Sequence, residues 1–315
     1  MPEQKKTFTG LSQYKIAFCY ELAGKKFHIV MDNGTEYLMD FADESTVLIA
    51  EEGKQAVYEN YECLKGDDRT YLVRWAPKKH EGKINRALVL DLRQNLATYV
   101  NFETGYDPEY PRLIRAIPYF GAIKVPGEPL PTIRHHLSAR MAGRHIKWHY
   151  TPGMNLQHIY YSPIAVRASS GPEQTYEEAM RSRLEKQFAS DEPEVVRQAE
   201  ETFARMMKRQ EWYPFYEEPC FHIWISEGMN LFCFIEENMI RRSPSKSDGG
   251  GGILLLQDID RCVDVGLSFN ADEFYMVSAF GVENDIEDPL DTAESPYDWS
   301  VLTCMPSIRW EIPEE

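Results

Sequence analysis

Several features are missing from this sequence, and each absence removes a class of function. No GxSxG, no HExxH and no dinucleotide-binding glycine fingerprint occurs among the 315 residues, so hydrolase, metalloprotease and Rossmann readings have no support. No apolar stretch is long enough to span a bilayer, and none follows the opening Met1-Pro2-Glu3-Gln4-Lys5-Lys6. Basic residues are in deficit: 34 Lys and Arg against 50 Asp and Glu leave a formal net charge of −16. A surface of that sign repels nucleic acid and anionic membranes, so neither is expected as a partner. The six cysteines, Cys19, Cys63, Cys220, Cys233, Cys262 and Cys304, are scattered and form no CxxC. They read as reduced core thiols of a cytoplasmic protein, with no metal site and no cofactor expected. Asp248 and the four glycines behind it lack the Gly-Lys-Ser/Thr ending of a phosphate loop, which leaves a hairpin loop. Arg241-Arg242-Ser243-Pro244 beside it reads as a solvated tip or as a rim that steers anions.

A hydrophobic fraction of 43% is enough for real cores, and the apolar residues fall in short β-type runs. In the first part these runs are Phe27–Met31, Thr35–Phe41, Thr46–Ala50, Ala56–Leu64, Thr70–Trp75, Ala87–Asp91 and Leu96–Phe102. Asp32-Asn33-Gly34 between the first two favours a tight hairpin turn. Such an antiparallel meander removes its edges by closing into a barrel. Pro108 to Pro131 reads as a connection, because prolines such as Pro118 do not suit a central strand. The boundary is placed near Thr132, giving domains 1–131 and 132–315. A second set of runs extends from Met141 to Ser278. It is interrupted at 173–213 by Met180, Leu184, Phe188 and then Val196, Ala199 and Phe203 at helical spacing. This is a helical hairpin, read either as a packed ornament or as a lid. The acidic stretch from Val282 to Ser300 reads as surface loop.

The two parts echo each other. Gly24 and Gly143 stand 119 residues apart, as do Gly34 and Gly153, with a strand-like run between them in each case. Asp91 and Asp258 repeat at the larger offset of 167. Two copies of one unit, the second enlarged by an insert, account for both offsets.

Leu22-Ala23-Gly24-Lys25-Lys26-Phe27 followed by Asp32-Asn33-Gly34-Thr35-Glu36-Tyr37, with Gly143-Arg144, Ile159-Tyr160 and Ser170-Gly171-Pro172-Glu173 later, resembles the MoaF family, named for a molybdenum-cofactor biosynthesis cluster. The resemblance implies an all-β protein of two tandem lipocalin-like antiparallel barrels, here with the helical insert in the second. A more distant similarity links the first hairpin to the phenolic acid decarboxylases. It implies two substrate-binding tyrosines on the first strand and an arginine and a glutamate deeper in the barrel. In the first copy the tyrosine positions are Ile29 and Met31, and the glutamate position falls near Pro77. In the second they are Trp148 and Tyr150, with Glu236 or Glu237 near the glutamate position. On that comparison the polar equipment survives only in the second copy.

Strand alternation points Ile146, Trp148 and Tyr150 to one face and His145, Lys147 and His149 to the other. Tyr150 is then an interior phenol in need of a partner. His222 is a candidate base, and Glu236 a candidate proton donor in a dry interior. Trp148 and Trp224 offer ring surface, His158 and Tyr160 line the next strand, and Arg167 either anchors an anionic group or pairs with a surface glutamate. His145, His149 and His158 share no face with a carboxylate, and His135-His136 reads as exposed linker. The leading expectation is a barrel that binds a small aromatic or hydrophobic molecule in the C-terminal copy. Its chemistry would be cofactor-free proton transfer, a lyase or isomerase step. A non-catalytic carrier in pterin-cofactor synthesis competes with it. A scaffold whose barrels form a homodimer or partner interface is the third reading.

Overall fold

The computed structural model describes residues 16–51, 53–80, 82–151, 154–170, 192–210, 217–242 and 251–284. Eight antiparallel strands form a closed first barrel: β1 (Lys26–Met31), β2 (Glu36–Phe41), β3 (Thr46–Glu51), β4 (Val57–Lys65), β5 (Thr70–Trp75), β6 (Ile84–Asp91), β7 (Leu96–Thr104) and β8 (Ile114–Ile123). The two-residue β9 (His136–Leu137) follows. A second barrel is built from β10 (Arg144–Thr151), β11 (Met154–Tyr160), β12 (Ala165–Ser170), β13 (Glu218–Ser226), β14 (Met229–Ile235), β15 (Gly251–Asp258), β16 (Val263–Asn270) and β17 (Phe274–Asn284). Strand β17 pairs with β10 along one seam, and β12 pairs with β13 along the other. Among the described residues that last seam has Ala165–Pro219 and Val166–Glu218 in register. Strand β9 lies beside β13 further along, at Ile223 and Trp224.

The β8 strand was not expected, since it runs through the proline-rich stretch read as a connection. Pro118 sits in its middle, opposite Val100 of β7. Strand β1 flanks β8 only from Gly121 to Ile123, so at Pro118 one side of the strand has no ladder bond to lose. The link between barrels is therefore shorter, from Lys124 to His135. His135 is also not exposed. It is 2% accessible, bonded through Nδ1 to Thr98 Oγ1 at 2.7 Å, with Nε2 3.6 Å from Asp91 Oδ2. Of the expected helical hairpin, α1 (Pro193–Gln210) is present, and the segment of Met180, Leu184 and Phe188 lies outside the described residues. A short α2 (Glu237–Arg242) follows β14.

The duplication holds at the level of single hydrogen bonds. The Gly24 N–H donates to the Phe41 carbonyl, and the Gly143 N–H to that of Tyr160. Lys25 bonds back to Leu22, and Arg144 to Met141. Each of these partners is again 119 residues on. Both glycines hold positive φ, 77° and 88°, which a side chain would strain. The offsets map β1 onto β10 and β6 onto β15; most of the change falls between β12 and β13, and the rest between β14 and β15.

Three apolar clusters follow from strand alternation. One fills the first barrel, around Ile29, Phe41, Val73 and Leu88. One fills the second, around Trp148, Tyr160, Phe232 and Leu255. The third lies between the barrels: outward residues such as Leu72, Val89 and Phe102 meet Ile223, Leu254, Leu267 and Phe269. Strands β5–β7 and β13–β16 are thus apolar on both faces, one turned to a barrel interior and one to the other barrel. Arg241, read as a solvated tip, helps at this junction: it pairs with Glu237 (2.7 Å) and reaches Asp107 of the first barrel (3.3 Å).

Candidate functional site

Along the inward face of the second barrel, one register row joins Asn230 (β14), Gln257 (β15), Asp264 (β16) and Ala279 (β17), and Tyr150 projects beside its end. Because paired residues on one face stand side by side, polar side chains on such a row can bond across strands. Asn230 Nδ2 donates to Gln257 Oε1 at 3.0 Å, and Gln257 Nε2 donates to the Tyr160 hydroxyl at 2.7 Å. That hydroxyl also accepts from Trp148 Nε1 at 3.1 Å. Having accepted twice, it donates its own proton to His158 Nδ1, 3.0 Å away. The other His158 nitrogen must then carry hydrogen. Asn230 Nδ2 also faces His222 Nδ1 at 3.3 Å, and His222 Nε2 lies 3.9 Å from Cys220 Sγ. Nearby, the Tyr150 hydroxyl donates to Asp264 Oδ2 at 3.1 Å.

All these side chains have essentially no accessible surface. Burial therefore sets their protonation. It pushes both His158 and His222 down to about 3, so both rings are neutral at ordinary pH. It raises the Asp264 carboxyl to about 8 against the bond from Tyr150, and it raises the Tyr150 phenol, with the Asp264 charge adding to the effect. Asp264 Oδ1, His158 Nε2 and Asn230 Oδ1 have no hydrogen-bond partner among the described residues. Three orphaned polar atoms in one dry interior demand an explanation.

The structure thus brings together Tyr150, Trp148, His158, Tyr160 and His222. The others named from sequence stand apart. Glu236 continues the inward row of Phe232 and Phe234 past the end of β14, half-buried, and accepts from the Gly251 N–H at 3.0 Å; burial raises its carboxyl. Trp224 is half-buried under the Arg140 guanidinium, 4.1 Å from the ring centre. Arg167 lies on the outside of β12, 41% exposed and 3.8 Å from Glu217. Of the three histidines considered for metal, His145 and His149 face outward and His158 inward.

Sequence reasoning missed Asp264, Gln257, Asn230 and Glu218. Alternation signals the first: in Val263-Asp264-Val265-Gly266-Leu267, Asp264 shares the face of Gly266 and Ser268, and that face is inward. Glu218 is buried, its carboxyl raised to about 8 by desolvation against bonds from the Asn238 (2.7 Å) and Met239 (2.9 Å) N–H groups at the start of α2. Its counterpart in the first barrel is Glu59, which accepts from the Lys78 N–H. Both carboxylates hold the loop that follows the next hairpin.

Residues 6–104 match the family model of the MoaF N-terminal domain. The match spans β1 to β7 of the first barrel and is consistent with a member of the MoaF family. No curated protein matches the chain. The match covers the first copy, and the internal repeat relates the second copy to it position by position. Where the MoaF-matched barrel has Ile29, Met31, Met39 and Phe41, the second has Trp148, Tyr150, His158 and Tyr160. Ala97 and Leu90 correspond likewise to Asp264 and Gln257.

Proposed function

We propose that the C-terminal barrel of this MoaF-like protein takes up a small aromatic or hydrophobic molecule and transfers a proton to or from it without a cofactor. The Tyr150–Asp264 pair carries this reading. A carboxyl whose pKa is about 8 keeps its proton near neutrality and can give it up and regain it there. It touches a phenol on one oxygen and leaves the other, Oδ1, unbonded. Trp148 and Phe232 would stack on the ligand ring, and His158 and His222, both neutral, would offer uncharged donors or acceptors. Asp264 takes the proton-donor role that sequence alone gave to Glu236. Access would run through the seam between β12 and β13, beside His158 and His222, where the described residues hold two pairs; parting each net hydrogen bond there costs about 1 kcal/mol. The free state of the described cysteines supports a reducing compartment such as the cytoplasm.

The test is to incubate small aromatic compounds with the protein in D2O and follow carbon-bound deuterium by mass spectrometry. The expected result is uptake into a compound that also raises the melting temperature, with uptake lost and binding kept in Asp264→Asn. The second reading, a carrier for a pterin in molybdenum-cofactor synthesis, rests on the MoaF match. Stable binding with no deuterium uptake by either protein favours it.

A further inference from the structure

The first barrel has polar equipment of its own, in a different place from the second. On β6 the inward row runs Leu90, Leu88, Arg86, placing a guanidinium inside the barrel near the end where β5 leads into β6. Arg86 pairs in register with Trp75 on one side and Asn101 on the other. Its charge lies 5.8 Å from the ring centre of Tyr99. Tyr99 in turn packs against Tyr37 (5.8 Å, stacked), Tyr119 (5.8 Å) and Trp75 (6.0 Å). Burial raises the Tyr37 and Tyr99 phenols, which stay protonated. The cation therefore faces one ring of a cluster of three tyrosines and a tryptophan centred on Tyr99.

Arg86 forms no ion pair among the described residues, and its Nε is buried without a hydrogen-bond partner. Three carboxylates share the inward rows, and each is already engaged. Glu51 pairs with Lys54, Glu59 accepts from the Lys78 N–H, and Glu103 pairs with Arg115 while accepting from Asn101 Nδ2 at 3.1 Å. Further out, a cleft of about 410 Å³ is lined by Lys79, His80, Lys83, Ile84, Glu103 and Tyr106. Ile84 and Glu103 stand one inward step beyond Arg86 and Asn101 on the same strands. Three basic side chains at this rim stand out on a chain of net charge −16. In the second barrel the register equivalent of Arg86 is Ile253, so this feature belongs to the first copy alone.

We propose that the open end of the N-terminal barrel is a binding site for a small aromatic carboxylate, its ring among Tyr37, Trp75, Tyr99 and Tyr119 and its charge on Arg86. A planar guanidinium matches a carboxylate in a forked contact, and the ring-lined wall supplies the apolar part of the recognition. Lys79 and Lys83 steer the anion toward the opening. The site is independent of chemistry in the other barrel.

Benzoate is the probe. Titration followed by calorimetry and by the indole signals of 15N-tryptophan-labelled protein is expected to show saturable binding that moves the Trp75 signal. Benzamide, which keeps the ring without the charge, and acetate, which keeps the charge without the ring, are each expected to bind at least tenfold more weakly. Arg86→Met is expected to raise the Kd at least tenfold and Arg86→Lys less, while Asp264→Asn leaves it unchanged. No benzoate binding, benzamide binding as tightly as benzoate, or binding lost in Asp264→Asn but kept in Arg86→Met overturns the proposal. Should Arg86→Met not fold, the wild-type comparison of benzoate with benzamide and the Trp75 signal decide it.

Discussion

Replacing Tyr160 by phenylalanine removes one oxygen and leaves three buried groups without their partner: Trp148 Nε1, Gln257 Nε2 and His158 Nδ1. A stranded buried polar group costs about 1–3 kcal/mol, so Tyr160→Phe is expected to lower stability by at least about 2 kcal/mol in urea denaturation. Combined with His158→Leu, the loss should fall short of the sum of the two single losses. Asp264 gives a prediction in pH. Its folded pKa of about 8 stands above the ordinary carboxylate value because burial penalises the charge. The native state therefore holds this proton more tightly than the unfolded chain. The stability tied to it is fully present below about pH 4 and is lost as pH rises toward 8. Asparagine has no such proton to lose. The stability of Asp264→Asn relative to the parent should thus climb by up to about 1.4 kcal/mol per pH unit across that window and level off above it. A flat difference between pH 5 and 8 would show that the carboxyl is ordinary. At this scale alternation, which is local, made Trp148 and Tyr150 legible as inward residues, and the sequence named His158, Tyr160 and His222 as candidates without fixing their direction. It hid Asp264 and Gln257, because which charged residue in a strand faces a dry interior depends on the neighbouring strands.

At the scale of elements, two features decide behaviour. The first is the repeated turn at Gly24 and Gly143. Both hold positive φ, so Gly24→Ala and Gly143→Ala should each cost about 1 kcal/mol or more through strain, and by similar amounts if the turns are truly equivalent. Thermal denaturation of the two variants measures this. The second is the seam of β12 and β13. Its described part holds two residue pairs, Ala165–Pro219 and Val166–Glu218, against a continuous ladder of seven between β14 and β15, and the amides of those two pairs should exchange with solvent before those of β14 to β16. Equal protection on both would remove the access route proposed for the second barrel. Strand positions were readable from alternation and from the Asn-Gly turn. Strand β8 was not, because the unpaired side that makes Pro118 harmless is a property of how far β1 extends beside it. Glu236 stands just past the end of β14, where its partner is the Gly251 N–H, a contact that depends on the neighbouring strand.

For the whole molecule, the cluster between the barrels matters most. Phe102 packs against Phe269 at 5.0 Å and Phe274 at 5.5 Å, and it is fully buried. Ion pairs Arg112–Asp272 and Arg241–Asp107 span the same junction. A shared core of this extent should make the two barrels unfold in one calorimetric transition. Phe102→Ala, expected to cost about 3–5 kcal/mol, should lower the melting temperature and separate the transition into two. No helix among the described residues is long and apolar enough to cross a membrane.

The sequence alone determined that this is a doubled all-β protein, because turn glycines, alternation and repeat spacing are written in consecutive residues. It also named most of the side chains that line the second barrel. Only the tertiary structure decided which of them meet, that Asp264 is the buried carboxyl bonded to Tyr150, and that Arg86 faces the Tyr99 ring with no ion pair among the described residues. Closure of a sheet brings strands far apart in sequence into register, and burial there, not residue type, sets which groups keep their protons and which lack partners.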